Sequence, residues 1–248
     1  MSARPVPAAG SRVRFALLFV LFAGALAVLV GLGTWQVQRL AWKEALLATI
    51  DERIHADPLP LDEVASRYPE IEYVPVTATG RFDHAAERHV FTTWEGESGY
   101  DVFTPLLLGE NRAVFVNRGF VPFDRKDPAT RADGQVGGEV TVTGLARRGL
   151  AEKPSWVVPD NDPAKNVFYW KDVRAMRETS GLDPAIDVLP FVVDAGDAAN
   201  PGGLPVGGTT LIDLPNNHLQ YAVTWYGLAL ALCGVFGYRL WSLRKRTP

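Results

Sequence analysis

Two long apolar runs without a charged residue frame the chain. The first, Phe15 to Gln38, has 24 residues, and the second, Leu214 to Tyr238, has 25. A helix needs roughly 20 apolar residues to cross a bilayer. Trp35 and Tyr221 also place amphipathic rings where such helices would meet the membrane surface. The pattern therefore predicts two transmembrane helices, at 15–38 and 214–238.

A cleaved signal peptide is the alternative for the first run, since Ala25-Leu26-Ala27 could serve as a peptidase site. The apolar core of a signal peptide has about 7–15 residues, so the length of this run favours an anchor. Small residues recur at every fourth position in both runs, at Ala23, Ala27 and Gly31 and at Gly227 and Ala231. They either form a face on which the two helices pack closely or are incidental, and both explanations stay open.

Between the runs the hydrophobic period changes. The first helix is predicted to continue to Ile54, and Leu61–Tyr68 and Trp170–Gly181 are predicted as further helices. Alternating apolar residues predict strands at Tyr73–Gly80, Arg88–Trp94, Tyr100–Leu108, Ala113–Val121, Glu139–Ala146, Val188–Asp194 and Thr209–Leu214. We therefore expect a membrane α+β protein, with two transmembrane helices flanking a mainly antiparallel β domain whose sheet is curled or closed into a barrel.

Charge divides the chain in the same way. Every Asp and Glu lies from Glu44 to Asp213, and residues 39–213 have a net charge of −10, whereas both ends are basic. Basic residues mark the cytoplasmic side of membrane helices. The predicted segments are a cytoplasmic basic N-terminus (1–14), a transmembrane helix (15–38), an exported domain (39–213), a second transmembrane helix (214–238) and a cytoplasmic basic C-terminus (239–248). Because only 14 residues precede the first run, we expect a bacterial inner membrane and a periplasmic domain rather than a mitochondrial membrane.

Composition excludes some classes of function. An acidic domain without a basic face excludes nucleic-acid binding. Cys233 is the only cysteine and falls inside the second run, which excludes zinc or copper sites that need two thiolates. His84 and His89, with Glu87 between them, could hold a metal across a turn, but histidines in turns are more often solvated. No Gly-x-Ser-x-Gly elbow and no Gly-rich phosphate loop occurs, so we predict no catalytic residues and no enzymatic activity.

His218 is the most informative side chain because it stands where the second run begins. Asn216 or Asn217 can cap a helix that starts here. On that helix, the face of His218 also carries Tyr221, Ala222 and Trp225. An imidazole above aromatic and apolar side chains suits an axial ligand of a haem. The alternative is a histidine bonded to lipid head groups or to the domain, and the residues alone favour that alternative.

The string PNNHLQYAVTWYG at 215–227 closely resembles the C-terminal signature of the Surfeit-locus family of cytochrome c oxidase assembly proteins. Shorter strings that resemble the family occur along most of the chain, at Gly33–Gln36, Gly80–Phe82, Val116–Pro122 and Asn161–Pro163. The short strings are weak signals, whereas the string around His218 is specific. The topology of the family is also the one derived above from charge and hydropathy.

The resemblance implies a factor that assists insertion of haem A into the catalytic subunit of haem–copper cytochrome c oxidase, by binding haem A transiently at the outer membrane interface. Carried onto this chain, His218 would ligate the haem iron and Tyr221 and Trp225 would flank the porphyrin. Arg39 would pair with a propionate, although an arginine that snorkels to the interface is the simpler explanation. The implied partners are the catalytic oxidase subunit, the lipid bilayer and, as a further candidate, haem A synthase.

Two other functions stay open from the sequence. A cofactor-free scaffold or chaperone would stabilise the nascent oxidase subunit, with His218 in a structural role. A membrane-anchored hydrolase would need a nucleophile outside the known motifs. Asn117 and Arg118 would form either a partner surface or an exposed strand end. A haem-dependent absorbance that disappears with His218 would distinguish the carrier from the scaffold.

Overall fold

A computed structural model of the chain describes residues 9–109, 111–210 and 216–245. These residues form two compact units, one made of the described residues up to 49 and from 216, the other of residues 50–210. The helices are α1 (Ala9–Ile54), α2 (Leu61–Ser66), α3 (Val173–Thr179) and α4 (His218–Lys245). The strands are β1 (Leu59–Pro60), β2 (Val74–Phe82), β3 (Arg88–Trp94), β4 (Glu97–Leu107), β5 (Arg112–Pro122), β6 (Glu139–Arg148) and β7 (Asp187–Ala195).

The first unit is a pair of long helices, α1 and α4. Both are long and apolar enough to cross a membrane, as judged from length and composition. α1 extends past the predicted run in both directions and ends at Ile54, as its apolar spacing predicts. α4 begins at His218 and continues to Lys245, beyond the predicted end at Tyr238. The predicted start of the second span, at 214, lies outside the described residues.

α1 and α4 face each other along residues spaced alternately three and four apart. On α1 the shielded positions include Phe22, Leu26, Leu29, Gly33, Gln36 and Leu40, and on α4 they include His218, Ala222, Trp225, Ala229, Leu232 and Phe236. The rings of Phe22 and Phe236 stack at 4.0 Å between centroids. This spacing is the seam of a coiled coil. The small residues at positions 23, 27, 31, 227 and 231 are exposed, so the second explanation given for them, that they are incidental, is correct.

The second unit is built on a seven-stranded mixed sheet in the order β1-β2-β6-β7-β5-β4-β3. β2 also pairs with β4, through Arg81 and Phe82 opposite Leu107 and Leu106. The five strands β2, β6, β7, β5 and β4 therefore close into a barrel. A Cβ atom at Gly80 would lie 2.3 Å from the carbonyl oxygen of Leu107, so only glycine lets β2 approach β4 this closely.

Most pairings in the described sheet are antiparallel, as the alternation of the sequence predicts. The exceptions are β1 with β2 and β5 with β7, which are parallel. The bounds of six predicted strands agree with β2 to β7 to within three residues. The predicted strand at 209–214 is wrong for Thr209 and Thr210, which are not in a strand, and its other residues lie outside the described residues.

Two apolar clusters pack on opposite faces of the same strands. One fills the barrel and includes Val76, Leu106, Val116, Phe191 and Val193. The other lies on the outer face, where Phe103, Phe115 and Val192 pack against Phe168 and Met176. Alternate residues of one strand therefore pack into different cores, because successive side chains along a strand point to opposite faces of the sheet. The loop 149–172 and α3 cover this outer face.

Candidate functional site

The imidazole of His218 is bonded to the partner helix. Its Nδ1 lies 2.7 Å from Oε1 of Gln36 on α1. Gln36 is only 8% exposed. With the amide oxygen as the acceptor, Nδ1 carries the proton and Nε2 keeps its lone pair. Nothing in the described part of the chain bonds to Nε2, so this nitrogen is the one available to a ligand.

Local sequence explains why these two side chains meet. The carbonyl of Asn217 accepts the first helical hydrogen bond, from the Tyr221 amide at 3.2 Å. Oδ1 of Asn216 lies 3.5 Å from the His218 amide, so α4 starts here and His218 occupies its first turn. Ala222, 3% exposed, is one turn further on the same face. A buried glutamine in an apolar helix needs a polar partner, and His218 supplies it.

The structure brings together only some of the predicted site residues. Trp225 lies on the contact face of α4 and is partly buried. Tyr221 is 53% exposed, and its side chain makes no hydrogen bond or ring contact with the described residues. Arg39 is exposed one turn from Gln36, with its guanidinium 4.5 Å from the centre of the Trp42 ring. Gln36 was missed, although a glutamine in an uncharged run is itself a signal of a functional or packing role.

The side chains at this site offer one imidazole nitrogen that could ligate a metal ion such as a haem iron. A metal-ligating histidine normally donates its other ring N–H to an acceptor that fixes the tautomer and the ring orientation. Gln36 is placed to be that acceptor, and Nε2 of His218 would be the ligand atom. Arg39 has no carboxylate partner among the residues that the structure describes, so its charge is available to an anionic group.

The other candidate metal site, at His84 and His89, does not form. Nε2 of His84 lies 2.8 Å from the carbonyl of Val136. Nε2 of His89 lies 3.1 Å from Oε1 of Glu87, and the same carboxylate pairs with Arg131. Burial raises the pKa of Glu87, but bonds from His89 and Arg131 outweigh burial and lower it overall. No three His, Cys, Asp or Glu side chains within the described ranges converge as a metal site.

The expectation of an exposed Asn117 and Arg118 is wrong, because both are buried, at 6% and 3% exposed. Arg118 donates to the carbonyl of Gly134 at 2.5 Å and to Oδ1 of Asn200 at 3.0 Å. Burial lowers its pKa to about 10. Asn117 donates to Asp194 at 3.2 Å. Both residues therefore hold the domain together and present no surface to a partner.

Asn117 and Asp194 belong to a buried polar cluster that the sequence did not predict. Oδ2 of Asp194 accepts from Arg147 at 3.1 Å and from Thr210 at 3.1 Å. Asp101 accepts from Thr209 at 3.3 Å. Burial and the nearby charge of Asp194 raise the pKa of Asp101 to about 7. Strands β4, β5, β6 and β7 each contribute to this cluster, so no local pattern in the sequence could reveal it.

Comparison with known proteins places these residues in a family. The model of the SURF1 family matches residues 23–230, which include both Gln36 and His218. Surfeit locus protein 1 of Rattus norvegicus is 38% identical over 93% of this chain and 76% of its own length. The protein of that name from Homo sapiens is 38% identical over 81% of this chain and 70% of its own. The SURF1-like protein of Drosophila melanogaster is 33% identical over 88% and 75%.

Proposed function

This chain belongs to the SURF1 family, and we propose that it is a non-catalytic assembly factor for haem–copper cytochrome c oxidase that assists insertion of haem A into the catalytic subunit. The observation that carries the haem-binding part is the contact of His218 Nδ1 with Gln36, 2.7 Å long. That contact leaves Nε2 of a partly buried imidazole available at the start of α4.

Haem A, when bound, would supply an iron that accepts one imidazole nitrogen. His218 offers Nε2 to it, and Gln36 holds the imidazole in the tautomer that makes Nε2 a donor. Trp225, on the same face of α4, would contact the macrocycle. Tyr221 would reach it from its exposed position, and Arg39 would bind a propionate by a charge-assisted hydrogen bond. An interfacial site suits a ligand with one lipid-soluble and one charged end.

We further propose that α1 and α4 cross the inner membrane of a bacterium with both termini in the cytoplasm and residues 50–210 in the periplasm. The basic flanks of both helices support this orientation. In a Cys233→Ser background, a cysteine replacing Trp156, which is 90% exposed, should react with a membrane-impermeant maleimide in intact bacterial cells. A cysteine replacing Lys245 should react only after lysis. Labelling in the reverse order would contradict the orientation.

The haem proposal is tested by the absorption spectrum of the detergent-purified protein after co-expression with the enzymes of haem A synthesis. We expect a Soret band in the wild type that is lost or shifted in His218→Ala. His55→Ala is the matched control, because His55 is an exposed histidine that follows the end of α1 and contacts only Asp51, and it should keep the band.

The other outcomes discriminate among the alternatives. Absence of a band in the wild type would contradict haem binding and favour the cofactor-free scaffold. In that case both the wild type and the His218→Ala variant should still co-purify with the catalytic oxidase subunit. A band that His218→Ala leaves unchanged would keep the haem and reject His218 as its ligand. Purification without either the band or the oxidase subunit would contradict the assembly role itself.

A further inference from the structure

One turn of the loop 149–172 carries an apolar tip that the rest of the domain does not cover. The amide of Val158 donates to the carbonyl of Ser155 at 3.1 Å, which places Trp156 and Val157 at the two central positions of a β-turn. Trp156 is 90% exposed and Val157 is 65% exposed. A tryptophan buries about 150–250 Å² of surface when it is enclosed, so this turn holds a large apolar side chain in water.

The contacts of the loop hold the turn in place. Nζ of Lys153 lies 2.8 Å from Oδ1 of Asp160, so an ion pair joins the two sides of the loop below the turn. Leu150 donates to the carbonyl of Lys171 at 2.8 Å and thereby joins the two ends of the loop. A side chain that is held in position before it binds loses little conformational entropy on binding. Trp156 is therefore suited to be an anchor in an interface.

An apolar groove of about 300 Å³ opens close to this turn. It lies between α3, the start of β7 and the first residues of the loop, and its apolar lining includes Tyr68, Leu150, Ala151, Val173, Val188 and Pro190. Ala151 precedes Trp156 by five residues, so their Cα atoms are at most about 18 Å apart. The domain thus carries an uncovered apolar tip and an open apolar groove at one place on its surface.

The charges beside the groove and the turn are complementary. Arg177 lines the groove and donates to two backbone carbonyls, but no carboxylate in the described part of the chain pairs with it. The other two charged side chains of the groove are occupied, because Arg174 pairs with Glu178 and Asp172 accepts from a backbone amide of α3. Glu152 is exposed between the groove and the turn and has no cationic partner among the residues that the structure describes. A second copy of the chain would supply the carboxylate that Arg177 lacks.

We infer that the exported domains of two copies of this chain bind each other across a two-fold axis, with Trp156 of each copy in the apolar groove of the other. A two-fold interface uses the same surface on both copies, which requires the anchor and its groove to lie on one surface, as they do here. On the membrane orientation proposed above, both domains lie on the same side of the bilayer, and anchoring in one plane raises their effective concentration. The inference does not depend on haem binding by the helix pair.

The test uses the full chain in detergent, prepared in two batches with different affinity tags. We expect the two wild-type batches to co-purify after mixing, and sedimentation across a dilution series to give the mass of a dimer. Trp156→Ala should raise the Kd of this dimer at least about thirtyfold, as expected for a central anchor of an interface. Phe123→Ala is the matched control, because Phe123 is an exposed aromatic residue outside the groove and the turn, and it should leave the Kd unchanged.

A mixture of two variants tests whether the contact is reciprocal. Ala151→Trp places a large side chain in the groove and should abolish self-association, as Trp156→Ala does. The two variants should nevertheless co-purify with each other, because one keeps Trp156 and the other keeps an open groove, so one of the two contacts remains. Their association would also show that both are folded.

Three results would overturn the inference. The first is a wild-type chain that stays monomeric at every concentration tested. The second is a dimer that Trp156→Ala leaves unchanged, which would place the interface elsewhere, for example on the helix pair. The third is a mixture of Trp156→Ala and Ala151→Trp that does not associate at concentrations at which the wild type does.

Discussion

The phenol ring of Tyr226 occupies the space that a side chain at Gly33 would fill. A Cβ atom at position 33 would lie 2.9 Å from Cε1 of Tyr226. The hydroxyl of the same tyrosine lies 3.0 Å from Oγ1 of Thr34. Small residues let two helix backbones approach closely when no hydrophobic force drives them together. Gly33 therefore sets how close α4 lies to α1, next to the turn that carries Gln36.

We expect Gly33→Ala to destabilise the helix pair by about 1–2 kcal/mol, because Tyr226 must move and release Thr34. Gly31→Ala is the control, since a Cβ atom there meets nothing within 4 Å, and it should stabilise α1 by about 0.5–1 kcal/mol. Thermal unfolding of the two variants in one detergent measures the difference. In a Tyr226→Ala background the cost of Gly33→Ala should disappear. A cost that persists there would mean that Tyr226 is not its cause.

Gln36→Ala tests the role of the amide that fixes His218, and this prediction rests on the proposed haem binding. Loss of an outer-shell partner typically weakens metal affinity about 10–100-fold. We expect a weaker affinity for haem in a spectrophotometric titration, with a Soret band that survives at saturation. Gln38→Ala, on an exposed face of the same helix, should bind haem as the wild type does. Equal affinities of the two variants would show that Gln36 does not position the imidazole.

Arg131 neutralises the buried carboxylate of Glu87. Removing one partner of a buried ion pair leaves an uncompensated charge and costs about 3–5 kcal/mol. We therefore expect Arg131→Ala to lower the free energy of unfolding by that amount in a urea titration. Arg174→Ala breaks an ion pair with Glu178 in which the Arg174 side chain is 86% exposed. This variant should lose far less stability than Arg131→Ala, because water screens an exposed ion pair. Similar losses in both variants would contradict the buried-pair interpretation.

Local pattern predicts the elements of this fold well. The bounds of β3 and the end of α1 at Ile54 agree with the prediction, because alternation and helical spacing are properties of neighbouring residues. Barrel closure rests on two residue pairs between β2 and β4 and on the close approach at Gly80. Such a contact joins strands that are distant in sequence, and no periodicity encodes it.

The same distinction holds for the site. The sequence predicted that His218 and Trp225 share one helix face, and both lie on the face of α4 that contacts α1. It missed Gln36, which is 182 residues away from His218 in the chain, and it placed Asn117 and Arg118 on a surface although they are buried. A hydrogen bond between side chains on two different helices, and the burial of two polar residues within a strand, both depend on the tertiary packing. A single sequence does not record that packing.

Asp101 makes the stability of the domain depend on pH. It faces Asn117 on β5, Asp194 on β7, Lys171 in the loop and Thr209, and its pKa is raised from 3.8 to about 7 by burial and by Asp194. Below about pH 4 both the folded and the unfolded chain hold the proton, so the raised pKa costs nothing. As the pH rises from about 4 to 7, only the unfolded chain releases it, so the contribution of Asp101 to stability falls by about 2–4 kcal/mol and then levels off.

Asp101→Asn should remove this dependence, because the amide stays neutral and its oxygen can still accept from Thr209. We expect the variant to be more stable than the wild type by about 2–4 kcal/mol at about pH 8, and the gain to vanish at about pH 4. Urea unfolding of the detergent-solubilised chain across this range measures it. Asp57→Asn, at an exposed position, should follow the wild-type profile. A gain that is the same at every pH would show that the new amide stabilises by packing, and that the proton on Asp101 has no part in it.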